Sequence, residues 1–430
     1  MRIAFYTLGC KVNQYETEAM RECFSERGHD IVSENGEFDV IVINSCTVTA
    51  ESDRKTRQTV RHFRREHPDA VIVLTGCMAQ AFPDDAKALA DADIIAGNTD
   101  HRRIAELCEE FLQNGERIFE IGEHKKGESF NTPAIGKFAD RTRAYMKIED
   151  GCERYCTYCI IPTARGRVRS KAADEIHLEA ERLCLNGFAE IVLVGINLSA
   201  YGSDIGLTLA DAVEAVCSVE GVKRVRLGSL EPDHISDEML NRLKSQPKFC
   251  PQFHLSLQSG CDETLKRMNR HYDTAFYADL VNRIRSMFTD AAITTDVMVG
   301  FAGETEEEFE KSLNFVKQTG FAKTHVFAYS RRKGTVAYKL PNQVANSEKS
   351  RRSKLMISAA QNCEEEFLSR QIGKTLPVLF ESSKDGYAEG YTPNYSKVTV
   401  KSYNPHTGEI LKVKITDAKK DCCIGQIVHR

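Results

Sequence analysis

The stretch Gly151-Cys152-Glu153-Arg154-Tyr155-Cys156-Thr157-Tyr158-Cys159-Ile160-Ile161-Pro162 decides how this chain is read. It sets three thiols in the pattern C-x3-C-x2-C. Structural zinc takes four ligands, usually from paired C-x2-C knuckles. No fourth ligand stands close by, and the next cysteine is Cys184. Three thiolates from one loop suit a four-iron cluster with one iron left open, and structural thiols or zinc stand as the other reading. Residues 143–148, just upstream, have the pattern of a strand. Further strand-like runs follow at 190–194, 222–227, 253–257, 293–299 and 324–328, with helix-compatible segments such as 174–186 and 304–318 between them. In barrels of alternating strands and helices the chemistry sits at the carboxyl ends of the strands, where this loop falls.

The chain of 430 residues has room for two to four domains. Its 41% apolar and 28% charged residues are ordinary for a globular protein. No apolar run approaches a membrane span, and the N-terminus enters a strand-like run without a signal-peptide pattern. The expectation is a cytosolic protein with no membrane association. Fifteen cysteines then point to reduced thiols and metal sites instead of a disulfide framework. A formal net charge of −4 excludes a globally basic nucleic-acid coat but not a local basic face.

Residues 1–125 alternate strand and helix. Residues 39–44 (Asp-Val-Ile-Val-Ile-Asn) and 71–75 are continuous apolar runs, the pattern of strands buried on both faces, with further strands expected at 2–7 and 93–96. Helical segments at 13–27 and 51–66 between them imply an open parallel sheet. Cys10, Cys46 and Cys77 each follow a strand, in Thr7-Leu8-Gly9-Cys10, Asn44-Ser45-Cys46 and Thr75-Gly76-Cys77. All strands of a parallel sheet end at one edge, so three thiols distant in sequence meet at one rim. A second iron–sulfur site fits this arrangement, and three buried structural cysteines are the alternative. Residues 116–137 are looser and read as a linker.

The 151–162 stretch resembles the signature of radical S-adenosylmethionine (SAM) enzymes. Thr7-Leu8-Gly9-Cys10-Lys11-Val12-Asn13-Gln14-Tyr15-Glu16, Asn44-Ser45-Cys46-Thr47-Val48-Thr49 and Thr75-Gly76-Cys77-Met78-Ala79-Gln80 resemble the N-terminal domain of the methylthiotransferases. The likeness covers essentially the whole chain, and the wording around Cys10 and Cys46 is most like the MtaB branch. The resemblance implies two four-iron clusters, one on Cys152, Cys156 and Cys159 and one on Cys10, Cys46 and Cys77, with SAM as both radical source and methyl donor. It implies Tyr158 beside the adenine of SAM. It also implies methylthiolation at C2 of N6-threonylcarbamoyladenosine next to the anticodon, giving 2-methylthio-N6-threonylcarbamoyladenosine. The partners implied are the tRNA anticodon stem-loop, an electron donor such as flavodoxin or ferredoxin, and a sulfur source. The same chemistry on N6-isopentenyladenosine or on a ribosomal-protein side chain is one alternative. A non-catalytic, metal-containing RNA-binding protein is another.

The expected architecture is an α/β protein: an open parallel sheet at 1–125, a radical-SAM (β/α)6 partial barrel at 138–366, and a small all-β barrel at 370–430 that resembles a TRAM domain. Strand-end residues Gly195, Asn197, Ser229, Glu231, Gln258, Ser259, Asp296, Gly300, Gly303 and Glu304 are candidate SAM or substrate contacts, with turn formers and helix caps as the plain alternative. Where family members often read Gly-Phe-Pro-Gly-Glu-Thr, this chain has Gly300-Phe301-Ala302-Gly303-Glu304-Thr305. Arg165, Arg167, Arg169 and Lys171, and the basic run at 331–354, are candidate phosphate contacts. From residue 372 to the end, nine Lys and Arg face six Asp and Glu. Tyr387, Tyr391, Tyr395 and Tyr403 interleave with the lysines there, a composition suited to stacking on unpaired bases.

Overall fold

The computed structural model describes residues 1–136, 138, 141–404 and 406–428. Residue 137 of the expected linker, residues 139 and 140 of the expected partial barrel, and residues 405, 429 and 430 of the expected terminal barrel lie outside these. The first sheet contains β1 (Arg2–Thr7), β2 (Asp30–Ile31), β3 (Val40–Ser45), β4 (Val71–Gly76), β5 (Ile94–Ala96) and β6 (Ile118–Glu120), all parallel, in the order β2-β1-β3-β4-β5-β6. Every residue of β3 and β4 is buried, because helices cover both faces of the sheet. Strand β6 falls in the stretch read as linker. Its last two residues, Phe119 and Glu120, are exposed, so no apolar run announces it. Farther along the same stretch, Thr132 and Ile135 are buried, Ile135 within the core of the next domain.

That domain is built on β7 (Arg143–Lys147), with a short antiparallel clamp of β8 (Glu149–Asp150) and β9 (Arg169–Ser170) beside it. Then come β10 (Glu190–Val194), β11 (Arg224–Leu227), β12 (Ser229–Leu230), β13 (Gln252–Leu255), β14 (Ala292–Val299) and β15 (Lys323–Ala328). They form parallel sheets ordered β7-β10-β11 and β12-β13-β14-β15, and only Gly228 separates β11 from β12. The two sheets, of three and four parallel strands, follow one another at Gly228 and are backed by helices.

The chain ends in a closed barrel of β16 (Thr375–Lys384), β17 (Tyr387–Tyr391), β18 (Lys397–Lys401), β19 (Ile410–Lys419) and β20 (Cys422–Ile427), ordered β16-β17-β18-β20-β19. Alternating Val378/Phe380, Val398/Val400 and Val413/Ile415 fill its interior. Arginines from the parallel sheet dock it. Arg224 donates to the carbonyls of Tyr391 (3.0 Å) and Pro377 (2.9 Å), and Arg226 to that of Pro393 (2.9 Å). No helix is long and apolar enough to cross a membrane among the described residues.

Candidate functional site

The three strand-end cysteines of the first sheet come together around one side chain, Asn13. Cys10 caps the helix Lys11–Glu26, Cys46 follows β3, and Cys77 opens the short helix after β4. The Sγ atoms of Cys10 and Cys77 lie 3.8 and 3.9 Å from Asn13 Oδ1. The amide of Asn13 donates to Leu8 O and Ser45 O, both at 2.9 Å, so one buried side chain ties the first two cysteine loops together. Two glycines make the approach possible. A Cβ on Gly9 (φ +108°) would stand 2.8 Å from Cys46 Cβ, and one on Gly76 (φ +92°) would stand 2.5 Å from Asn44 Oδ1 and 2.6 Å from Ser45 N. Cys46 and Cys77 are buried, whereas Cys10 opens onto a deep cavity.

The Cys152 loop is held by backbone contacts. Gly151 (φ +90°) passes so close to the Arg167 carbonyl that a Cβ there would collide with it, and Cys152 N donates to Gly166 O (3.0 Å). Thr157 is fixed to the C-terminal end of the Asp262–Arg267 helix through Met268 O and Arg267 O, and Arg154 is paired with Asp233 (2.8 Å). Cys159 Sγ receives the Ile161 N–H at 3.4 Å. Burial pushes the thiols of Cys77, Cys152 and Cys159 up to about 12, so an attached cation is what makes these groups thiolate. No three His, Cys, Asp or Glu among the described residues form a group that could hold a metal ion. All six cysteines of the two triads are free thiols, the donor type that holds iron–sulfur clusters.

A buried arginine serves each triad, and the residue pattern alone did not reveal either role. Arg165 donates from Nε to Cys77 Sγ (3.1 Å) and from Nη2 to Asn13 Oδ1 (2.8 Å), while also pairing with both oxygens of Glu16. Glu16 in turn takes Lys147 (2.7 Å), and Asp150 takes Lys147 (2.6 Å), Arg169 (3.3 Å) and Arg165 (3.4 Å). These cations hold the carboxyls of Glu16 and Asp150 well below the usual range, against the opposing effect of burial. At the other triad, Arg270 donates from Nη1 to Cys156 Sγ (3.2 Å), pairs with Glu231, and has Tyr158 Oη 3.5 Å away.

These contacts correct one expectation. Arg165, Arg169 and Lys171 do not face RNA; they are buried in ion pairs, Lys171 with Glu179. Of that group only Arg167 is exposed. In the 331–354 run, Arg332 pairs with Asp53 (2.5 Å), Arg352 with Glu304 (2.7 Å), and Lys349 with the Tyr329 carbonyl (2.9 Å), which leaves Lys333, Lys339 and Lys354 among the exposed cations. Alternating charge in sequence gave no signal that half of it turns inward.

The other candidates fall into distinct places. Tyr158 and Glu231 gather on Arg270 beside Cys156. Asn197 N donates to Glu149 Oε2 (2.7 Å), and Gly195 is where a Cβ would stand 2.5 Å from that same oxygen. Glu149 was missed. Its carboxyl is pushed well above the usual range by burial and then by Asp150, and both its Oε1 and Asn197 Oδ1 are buried without a partner. Gly195, Ser229 and Asp296 line the cavity, with Asp296 3.4 Å from His254 Nε2. Gln258 joins neighbouring chain through its backbone, at Asp296 O (2.9 Å) and Met298 N (2.8 Å). Ser259 Oγ takes the Cys261 N–H. Glu304 braces Gly300 N (2.6 Å) against Arg352, and Gly300 and Gly303 take the left-handed backbone of a turn there.

The cavity, of about 880 Å³, starts at Gly9, Cys10 and Lys11, passes Gly195, Ser229 and Asp296, and ends against Tyr391, Tyr395 and Lys397 of the β-barrel. Tyr391 and Tyr395 stack at 4.6 Å, with Arg143 5.1 and 5.0 Å from their rings and Arg226 4.6 Å from Tyr395. All three parts of the fold thus line one space. Tyr387 and Tyr403, with Lys401, Lys412 and Lys414, face outward.

Residues 2–97 match the Uncharacterized protein family UPF0004, residues 146–316 the Radical SAM superfamily, and residues 369–428 the TRAM domain. The chain is 39% identical to the threonylcarbamoyladenosine tRNA methylthiotransferase MtaB of Bacillus subtilis, covering 99% of this chain and 96% of that protein. The chain belongs to the radical-SAM methylthiotransferases. A Thermotoga maritima methylthiotransferase bearing the same name is 38% identical over 91% of this chain and 89% of its own. The tRNA-2-methylthio-N(6)-dimethylallyladenosine synthase of Natranaerobius thermophilus is 32% identical over 98% of this chain and 96% of that protein. In fold, this methylthiotransferase is similar to the radical SAM methyltransferase TsrM of Kitasatospora setae, with a TM-score of 0.57 at 12% identity over 90% of this chain and 80% of that one. It is a transferase that uses SAM and an iron–sulfur cluster.

Proposed function

We propose that this methylthiotransferase adds a methylthio group to C2 of N6-threonylcarbamoyladenosine beside the anticodon of tRNA, giving 2-methylthio-N6-threonylcarbamoyladenosine. The observation that carries the reading is the single cavity running from Cys10 to the stacked tyrosines of the terminal barrel, past strand ends of the radical-SAM domain. A sulfur site and a nucleic-acid module lining one space suit transfer of sulfur to an RNA base.

Two triads of thiols are the ligands in this reading, Cys152, Cys156 and Cys159 for one four-iron cluster and Cys10, Cys46 and Cys77 for the other. Bound there, the clusters supply an electron that splits the sulfonium of SAM and an open iron that carries sulfur. The protein's own groups then bind and orient. Glu149 Oε1 and Asn197 Oδ1, buried acceptors without donors, suit the α-ammonium of SAM. Arg270 and Glu231 fix Cys156 and Tyr158. Arg165 and Asn13 fix Cys77 and the loops around it. Ser229 and Asp296 stand on the cavity wall where the base would lie, and Gln258 supports that wall through its backbone. Residues 1–125 hold sulfur, 138–366 activate SAM and 370–430 grip the anticodon stem-loop, while a flavodoxin- or ferredoxin-like protein supplies electrons and a separate donor restores sulfur.

Nucleoside analysis of tRNA tests the acceptor. Cells lacking this gene should accumulate N6-threonylcarbamoyladenosine and regain its methylthio derivative on complementation. Return of 2-methylthio-N6-isopentenyladenosine instead would replace this reading.

A further inference from the structure

The acceptor in the preceding reading carries a threonine joined through its amino group, so its carboxyl is free and ionised at neutral pH. The inference that follows rests on that reading. A carboxylate carried into an enclosed space needs a cation to replace its water. Most cations on the cavity wall are already engaged. Arg226 pairs with Glu190 (2.9 Å), Lys323 with Glu364 (3.0 Å) and Lys397 with Glu389 (3.0 Å). Arg143, behind the stacked tyrosines, pairs with Glu381 (2.5 Å). Lys11 differs. Its Nζ lies 5.7 Å from the centre of the Tyr145 ring, Arg143, Arg226 and Arg141 oppose its charge while Cys10 favours it, and no carboxylate among the described residues pairs with it.

Position strengthens the case. Lys11 immediately follows Cys10, in the first turn of the helix Lys11–Glu26, and both line the cavity. C2 of the base must come against the sulfur delivered beside Cys10. The N6 arm leaves the same ring two bonds from C2, so its carboxylate is carried to the immediate surroundings of Cys10. A lysine one residue away, on a flexible four-carbon stem, spans that interval. Arg141, which donates to Tyr145 Oη at 3.2 Å, lines the same wall. We propose that Lys11 recognises the threonyl carboxylate of the acceptor nucleoside, with Arg141 flanking it, so that the enzyme selects its N6-modified adenosine by the charge of the arm.

The test uses full-length protein purified without oxygen and three anticodon stem-loops. One carries N6-threonylcarbamoyladenosine, one its methyl ester, and one unmodified adenosine. The wild type should bind the acid about tenfold more tightly than the ester, equivalent to about 1.4 kcal/mol. Lys11→Met should bind both alike, and Lys11→Arg should restore the preference. Iron content and melting temperature of each variant check that the fold is intact. A wild type that binds acid and ester equally overturns the inference without reference to any variant. So does a folded Lys11→Met that keeps the full preference. Either result, with the methylthio derivative of N6-threonylcarbamoyladenosine still formed in cells, leaves the acceptor reading standing. A product on isopentenyladenosine removes both.

Discussion

The two cysteine triads are built in opposite ways. Cys152, Cys156 and Cys159 come from a single loop, clamped at its base by β8 and β9 and tied down by backbone contacts from Gly166 and Met268. Cys10, Cys46 and Cys77 come from three strand ends and depend on the sheet, on Asn13, and on two glycines that admit neighbouring chain. Each triad has one buried arginine on one sulfur, Arg270 on Cys156 and Arg165 on Cys77. The wiring of the two arginines differs. Arg270 stays within the radical-SAM domain, whereas Arg165 reaches from that domain into the first sheet through Glu16 and Asn13. The assembled triad is therefore the one whose geometry depends on how the two domains meet.

The largest test of this comparison is removal of a thiol. Alanine at any of the six cysteines should abolish the methylthio product. Variants of the loop triad should also stop forming 5′-deoxyadenosine from SAM, whereas Cys10→Ala, Cys46→Ala and Cys77→Ala should still form it; chromatography of the reaction mixture separates the two classes. Next in size is Arg165→Met, which strands the buried carboxylates Glu16 and Asp150 and should cost about 3–5 kcal/mol. Because those carboxyls titrate below their unfolded values, their ion pairs stabilise the fold above about pH 4 and lose that effect as pH falls through the depressed folded values. Thermal melts from pH 7 down to pH 3 should show the wild type losing its advantage over Arg165→Met in acid. Gly76→Ala should cost about 2–4 kcal/mol through strain and overlap with Asn44 and Ser45. Its iron loss should fall on the assembled triad and spare SAM cleavage. Smallest is Arg167→Ala. Two residues from Arg165 but exposed, it should change stability by no more than about 0.5 kcal/mol in the same melts.

Sequence and structure agree where the signal is local. The uninterrupted apolar runs of β3 and β4 are what strands covered on both faces require, and C-x3-C-x2-C is a motif because one loop supplies it. Cys10, Cys46 and Cys77 were placed at one edge by the parallel-sheet rule alone. What stayed hidden is contact across domains. Glu16 and Arg165 are 149 positions apart, and neither carries a mark of burial; a charged residue in a charged run reads as surface. The inward turn of Arg165, Arg169 and Lys171 overturned the phosphate reading for that reason. Glu149 was hidden by its neighbour Asp150, since only the fold shows which of two adjacent acids has cations around it and which has an oxygen left without a donor.

The most direct test of two cluster sites is an iron and sulfide count, with an absorption spectrum, on protein purified without oxygen. The account predicts about eight irons per chain, falling to about four in the Cys10→Ala/Cys46→Ala/Cys77→Ala variant. About four irons in the wild type, unchanged in that variant, would contradict a sulfur-carrying cluster on the assembled triad.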